Sequence, residues 1–141
     1  MENIYTALGL MSGTSMDGID VSVIKSNGED KYEEVFDQYF KYDDEIYEEL
    51  VDIRNKVNSS SDLEVNSIAL AKIERKITLF HAYVCKKVIN EKLINVDLIG
   101  FHGQTIFHNA NEKISRQLGN GNLLSDLLKK KVVYNFRAND M

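Results

Sequence analysis

Three polar stretches of this 141-residue chain, each placed after an apolar run, combine residue types that can do chemistry. The first is Gly13-Thr14-Ser15-Met16-Asp17-Gly18-Ile19-Asp20. Two glycines let backbone amides turn toward an anion and approach it closely. Thr14 and Ser15 add hydroxyl donors suited to phosphate oxygens. Asp17 or Asp20 has the oxygen chemistry to hold Mg²⁺, through water. The Gly-Lys-Ser/Thr ending of a Walker loop is missing, so this is not a P-loop. The same residues also suit a plain hairpin with an Asp-Gly turn.

The second stretch is His102-Gly103-Gln104-Thr105. An imidazole, an amide and a hydroxyl just past a buried strand can read sugar hydroxyls, and His102 can exchange a proton near neutral pH. A loop held by its own local hydrogen bonds is the alternative. His108 is a weaker candidate, and His81, beside Phe80 on a helix, reads as a half-buried structural histidine. The third stretch pairs residues 117–122 with residues 135–140. Asn120-Gly121 is turn chemistry and Asn122 a competent helix cap. Arg137 either clamps a carboxylate with its bidentate fork or pairs with Asp140.

The elements that must carry these stretches follow from periodicity. Residues 4–10 form an apolar run, and residues 19–24 alternate as a half-buried strand does. Asn27-Gly28 is a hairpin signal leading to a third strand at 32–41. Ile46, Leu50, Ile53 and Val57 then share one helical face behind an Asp43 cap. Ser61 and Glu64 have capping-box spacing, and Leu70, Ile73, Ile77, Phe80, Val84 and Val88 keep one apolar stripe on a long helix to residue 92. Strands at 96–101, 114–118 and 132–136 and a helix at 121–130 complete the order βββ-α-α-β-(β)-α-β. This is an α/β class, a mixed sheet with an antiparallel opening, in one domain over 1–141. Ligands of such sheets gather at the carboxyl ends of strands, where the three polar stretches lie.

Composition narrows the function classes. The chain is 43% hydrophobic and 28% charged, too apolar for disorder. Seventeen Lys+Arg against twenty-two Asp+Glu give a net charge of -5, which argues against duplex nucleic acid as a partner. The run Lys129-Lys130-Lys131 reads as a solvated helix end. No apolar run approaches the roughly 18–20 residues of a membrane span, and no secretory leader pattern is present. A single cysteine, Cys85, cannot form an internal disulfide. The expectation is a reduced, cytoplasmic protein with no membrane partner.

Taken together the stretches resemble the 1,6-anhydro-N-acetylmuramic acid kinase family. Residues 7–20 are similar to its N-terminal signature, residues 98–108 (Leu-Ile-Gly-Phe-His-Gly-Gln-Thr-Ile-Phe-His) to a second block, and residues 117–120 and 132–141 to a third and a fourth, in order. The first two blocks are long and specific enough to outweigh the plain-loop readings. The resemblance implies a ribonuclease-H-like, actin-like ATPase lobe. It also implies use of ATP and Mg²⁺ to open the anhydro bridge of an amino sugar with water while phosphorylating its 6-hydroxyl, a step of cell-wall recycling. On that mapping residues 13–20 bind the ATP phosphates, and His102, Gln104, Thr105 and Arg137 face the sugar.

Two departures qualify what the resemblance implies. Asn135 stands where the family places an aspartate before Phe-Arg. Family members are also much longer, continuing into an Asp-Thr-Gly-Pro-Gly segment that bears the catalytic base and into an adenosine-binding second lobe. No catalytic base is nominated within 1–141, and water attack without a positioned base forfeits roughly 10²–10⁴-fold in rate. The expectation is an N-terminal lobe, inactive alone, whose partners are an amino sugar, a second-lobe chain or further copies of itself. A non-catalytic nucleotide-binding or interaction fragment is the alternative. A ribonuclease-H-like nuclease would need acidic residues converging on two metals, which the serine-threonine bend does not suggest.

Overall fold

A computed structural model describes residues 3–136. It begins with a three-stranded meander, β1 (Tyr5–Met11), β2 (Gly18–Ser26) and β3 (Tyr32–Lys41). Helices α1 (Asp44–Lys56), α2 (Ser60–Val65) and α3 (Ser67–Lys92) follow. Then come β4 (Leu98–Phe101), the hairpin β5 (Gln104–Asn109) and β6 (Ile114–Leu118), α4 (Gly121–Leu128) and the short β7 (Val132–Val133). The main sheet has the order β3-β2-β1-β4-β7, and β5 and β6 pair apart from it. β1 runs antiparallel to β2 and parallel to β4, and β7 is parallel to β4.

Alternation fills the face of the sheet under the helices. Leu8, Leu10, Ile19, Val21, Val23, Ile99 and Phe101 point the same way and are buried. They meet Leu50 and Ile53 of α1 and Leu70, Ile73, Ile77, Val84 and Val88 of α3 in one cluster. Only one stripe of each helix is committed, as the 3.6-residue period requires. The opposite face of the sheet is lined by smaller and less buried residues, among them Ala7, Gly9, Ser22 and Gly100, with Phe136 alongside.

The sequence pattern and the fold differ at the ends of elements. β5 covers residues expected to be a loop, because Gln104 to Asn109 lack a clean apolar alternation yet pair with β6 from Gln104↔Leu118 to Asn109↔Ile114. The helix expected from residue 61 is two helices, broken at Asn66. The carboxylate that caps α2 is Asp62, which accepts the amides of Asn58 and Ser59 at 2.9 and 3.1 Å, so the cap begins two residues before Ser61. Asn120, not Asn122, caps α4, taking the Leu123 amide at 3.0 Å. Asn122 instead accepts the Tyr134 hydroxyl. The lysine run lies at the end of α4, as expected, and Lys129 caps the helix in a left-handed conformation. Among the described residues no helix is long and apolar enough to cross a membrane.

His81 is more deeply buried than its position beside Phe80 suggests, with no exposed surface. Its Nδ1 lies 2.7 Å from the Ile77 carbonyl, its ring stacks edge-on with Phe101 at 4.8 Å, and Nε2 has no hydrogen-bond partner among the described residues. Burial disfavours the imidazolium and pushes the pKa down to about 4. The unfolded chain therefore takes up a proton as pH falls below the usual histidine range, while the folded chain does not until near pH 4. Stability is present above that range and lost on acidification, by about 3 kcal/mol at pH 4 from this group alone. Urea unfolding at pH 7.5 and 4.5 should show the loss in the wild type and a distinctly shallower dependence in His81→Leu.

Candidate functional site

Parallel pairing puts the carboxyl ends of β1 and β4 on one edge of the sheet. The pair runs from Ala7↔Leu98 to Leu10↔Phe101, and the His102 amide reaches the Leu10 carbonyl at 3.3 Å. The residues that follow each strand, Ser12 to Asp17 and His102 to Gly103, therefore emerge side by side. Ninety residues of sequence separate them, and one rung of hydrogen bonding joins them.

The first stretch divides in two. Residues 12–17 make a hairpin bend between β1 and β2, closed by Met11↔Asp20, while Gly18, Ile19 and Asp20 lie in β2. The stretch is thus a hairpin bend, but its turn lies at Gly13 to Met16 and not at Asp17-Gly18, and the tip is exposed: Gly13, Thr14 and Ser15 face solvent. The Met16 amide donates to the Gly13 carbonyl at 3.2 Å, and no other backbone bond within the described residues takes the amides of Gly13, Thr14 or Ser15. Met16 and Ile19 send their side chains into the core, at 3% and 0% exposure. Only their backbones are available to a ligand.

The two glycines have different reasons. A Cβ on Gly18 would lie 2.4 Å from the Phe40 carbonyl oxygen and 2.6 Å from the Tyr39 ring, so strand packing demands glycine there. At Gly13 the nearest atom to such a Cβ is Ser15 Oγ at 3.9 Å. The left-handed residue of the bend is Met16, at φ 62°. Among the described residues no contact or backbone strain asks for glycine at 13.

The two aspartates also differ. Asp17 accepts from Ser15 Oγ at 2.8 Å, and the Tyr39 hydroxyl, with Ser15 second, holds its carboxyl below the usual range. Asp20 is shifted the other way, first by partial desolvation and then by the carboxyls of Asp37 and Glu34 across the sheet. Among the described residues no group of three or more His, Cys, Asp or Glu could hold a metal directly.

In the second stretch the three polar side chains go to three places. His102 is half-buried with Nδ1 2.9 Å from the Gly103 carbonyl oxygen. Thr105 Oγ1 accepts from Gln117 Nε2 at 3.2 Å. Gln104 is fully buried: its Oε1 accepts from the Tyr42 hydroxyl at 3.3 Å and its Nε2 donates to the Gly13 carbonyl at 2.9 Å. Gln104 therefore supports the first bend from beneath. Glycine at 103 has a local cause, since φ is +81° and a Cβ would meet the Leu118 carbonyl at 2.6 Å. Beside His102 lies a polar cavity of about 110 Å³, walled by Phe101, Arg116, Gln117 and Tyr134.

The 117–120 stretch is pinned from below by α3. Glu74 accepts the Gly119 amide at 3.0 Å and pairs with Arg116 at 3.1 Å, while Thr78 Oγ1 accepts the Asn120 amide at 3.0 Å. Asn135 borders the same cavity with φ 62°, a conformation asparagine tolerates well. Arg137 and Asp140 lie outside the described residues. Tyr39, Tyr42 and Glu74 are supporting residues that sequence reasoning did not find. Each was an unremarkable polar position on a strand, after a strand or on a helix.

The family model for anhydro-N-acetylmuramic acid kinase matches residues 5–141. The chain belongs to the anhydro-N-acetylmuramic acid kinase family. Its similarity to the anhydro-N-acetylmuramic acid kinase of Pelagibacter ubique (strain HTCC1062) is 62% identity over 141 residues, all of this chain and 38% of that protein. The kinases of that name from Agrobacterium fabrum and Brucella canis are 38% and 36% identical, again over all of this chain and 39% of their own length. The chain thus spans less than two-fifths of the curated relatives it matches. Both motif blocks of the kinase family resemblance, at 7–20 and 98–108, fall at the shared edge.

Replacing Tyr39 with Phe should raise the Asp17 pKa toward its ordinary value while leaving the fold intact, because the hydroxyl is the largest single cause of the depression. A carboxyl ¹³C titration of wild type and Tyr39→Phe measures this directly. An unmoved Asp17 would show that Tyr39 does not hold it.

Proposed function

We propose that this segment forms the phosphate- and sugar-facing part of an ATP-dependent kinase. The reaction is opening of the anhydro bridge of 1,6-anhydro-N-acetylmuramic acid with water and phosphorylation of its 6-hydroxyl. The observation that carries the reading is the juxtaposition of the exposed 13–17 bend with the 102–105 stretch at one sheet edge, in a chain of this family. The sheet order β3-β2-β1-β4-β7, antiparallel for the first three strands and parallel beyond, supports assigning it to the ribonuclease-H-like, actin-like class.

In this reading the amides of Gly13, Thr14 and Ser15 and the hydroxyls of Thr14 and Ser15 receive phosphate oxygens. No described residue requires glycine at position 13, which suits a position kept bare for a ligand's approach. The residues fit ATP with hydrated magnesium better than a directly ligated metal. Asp17, whose carboxyl is held below its usual range by Tyr39 and then Ser15, would hold hydrated magnesium through the water shell of the ion, and such a cation would relieve the repulsion between Asp20 and Asp37. Bound ATP supplies the transferable phosphoryl group. His102 and Thr105, with Arg137, address the sugar, while Gln104 acts from behind the bend.

Phosphoryl transfer depends on positioning and charge stabilisation from both sides of the cleft, and no residue of this chain is assigned as the base. The 141-residue chain incubated with the anhydro sugar, ATP and Mg²⁺ should give no product above background. Fused to the remaining portion of the Pelagibacter ubique relative, it should turn over. Product from the chain alone would overturn the division of labour, and a correctly folded but inactive fusion would overturn the kinase reading.

A further inference from the structure

A buried polar chain runs beside the apolar core to a single carbonyl of the bend. Ser12 Oγ lies 3.1 Å from the Tyr42 hydroxyl, Tyr42 donates to Gln104 Oε1 at 3.3 Å, and Gln104 Nε2 donates to the Gly13 oxygen at 2.9 Å. Ser12, Tyr42 and Gln104 are 7%, 2% and 0% exposed. The Tyr42 ring is set by edge contacts to Phe80 at 5.3 Å and His81 at 6.4 Å. Its backbone amide also grips the bend, donating to the Asp17 carbonyl at 2.8 Å.

The order of donors in this chain is determined. A hydroxyl has one proton, and Tyr42 spends it on Gln104 Oε1, so Ser12 donates to Tyr42. With Oε1 occupied, the Nε2 end of the Gln104 amide is the one that faces Gly13. The Gly13 oxygen then has both acceptor positions filled, by Gln104 and by the Met16 amide. In a planar trans peptide the carbonyl of one residue and the amide of the next point in opposite directions. Drawing the Gly13 carbonyl inward therefore turns the Thr14 N–H outward, to the exposed side of the bend.

We propose that Gln104, oriented by Tyr42, is a positioning residue that aims the Thr14 amide at the bound phosphate. This rests on the phosphate-binding reading of the bend. It also gives the second motif a task toward the first: a glutamine that resembles a sugar reader in sequence acts as a strut under the nucleotide site. A buried amide with a partner at each end, the Tyr42 hydroxyl on Oε1 and the Gly13 carbonyl on Nε2, is strongly held, because a flip sets Oε1 against a carbonyl that can only accept.

The test uses the ¹³C,¹⁵N-labelled 141-residue chain in three forms, wild type, Tyr42→Phe and Gln104→Leu. The carbonyl ¹³C shift of Gly13 and the amide shifts of Thr14 and Ser15 are followed during titration with Mg-ATP and, separately, Mg-pyrophosphate. In the wild type the Thr14 and Ser15 amides should move, with affinity in the millimolar range. In both variants the Gly13 carbonyl should shift upfield, and the Thr14 response should weaken by about fivefold or more, the size of one misaligned hydrogen bond. The rest of the spectrum should stay dispersed and in place, and if Gln104→Leu fails to fold, Tyr42→Phe carries the comparison. An unmoved Gly13 carbonyl, or variants that respond to Mg-ATP as the wild type does, overturns the positioning role and leaves the phosphate reading standing. A wild type silent at 13–15 overturns the phosphate reading and the positioning role together.

Discussion

The parallel pairing of β1 with β4 is the constraint on which the site depends. Neither strand is long, and the pair is closed at its end by one bond from the His102 amide to the Leu10 carbonyl. Yet this register brings together two polar stretches that lie ninety residues apart. A slip of one residue between the two strands would turn either Leu8 and Leu10 or Ile99 and Phe101 away from the helices. Burial of those four side chains therefore locks the geometry of the edge, and the apolar core serves the site indirectly.

The edge is supported by polar groups set into that core. Ser12, Tyr42 and Gln104 form one chain, and Glu74 and Thr78 of α3 hold the amides of Gly119 and Asn120. Burying such groups costs free energy unless each finds a partner, so their satisfied arrangement leaves few alternatives to the bend and the 117–120 stretch. His81 is the exception, with one nitrogen left bare against aromatic neighbours. Its neutrality is the condition for the packing of Tyr42 and Phe101 on either side.

Much of the scaffold was legible in the residues. Ile46, Leu50, Ile53 and Val57 are all buried as their spacing required, and so is most of the stripe from Leu70 to Val88. The antiparallel opening followed from alternation and the Asn27-Gly28 turn, where Asn27 Oδ1 collects the amides of Glu29, Asp30 and Lys31. β5 was not legible, since its pairing with β6 depends on a partner strand and not on a pattern of its own. Two caps moved by two residues, from Ser61 to Ser59 and from Asn122 to Asn120, because several Ser, Asp and Asn side chains compete for the same amides, and only the entry path of the chain selects one.

By itself the sequence determined the periodicities, the exposed glycine-and-hydroxyl bend, the membership of a kinase family and the charge that disfavours nucleic acid. Local residue types suffice for these, because amphipathic spacing and turn chemistry act over a few residues. Which polar side chain serves a ligand and which serves the protein was decided only by the tertiary structure. Gln104 and Thr105 are neighbours of similar chemistry in the sequence, but strand alternation and the arrival of Tyr42 from sixty-two residues away bury one beneath the bend and leave the other half-exposed. Burial and the identity of the partner, both long-range properties, set what each group does.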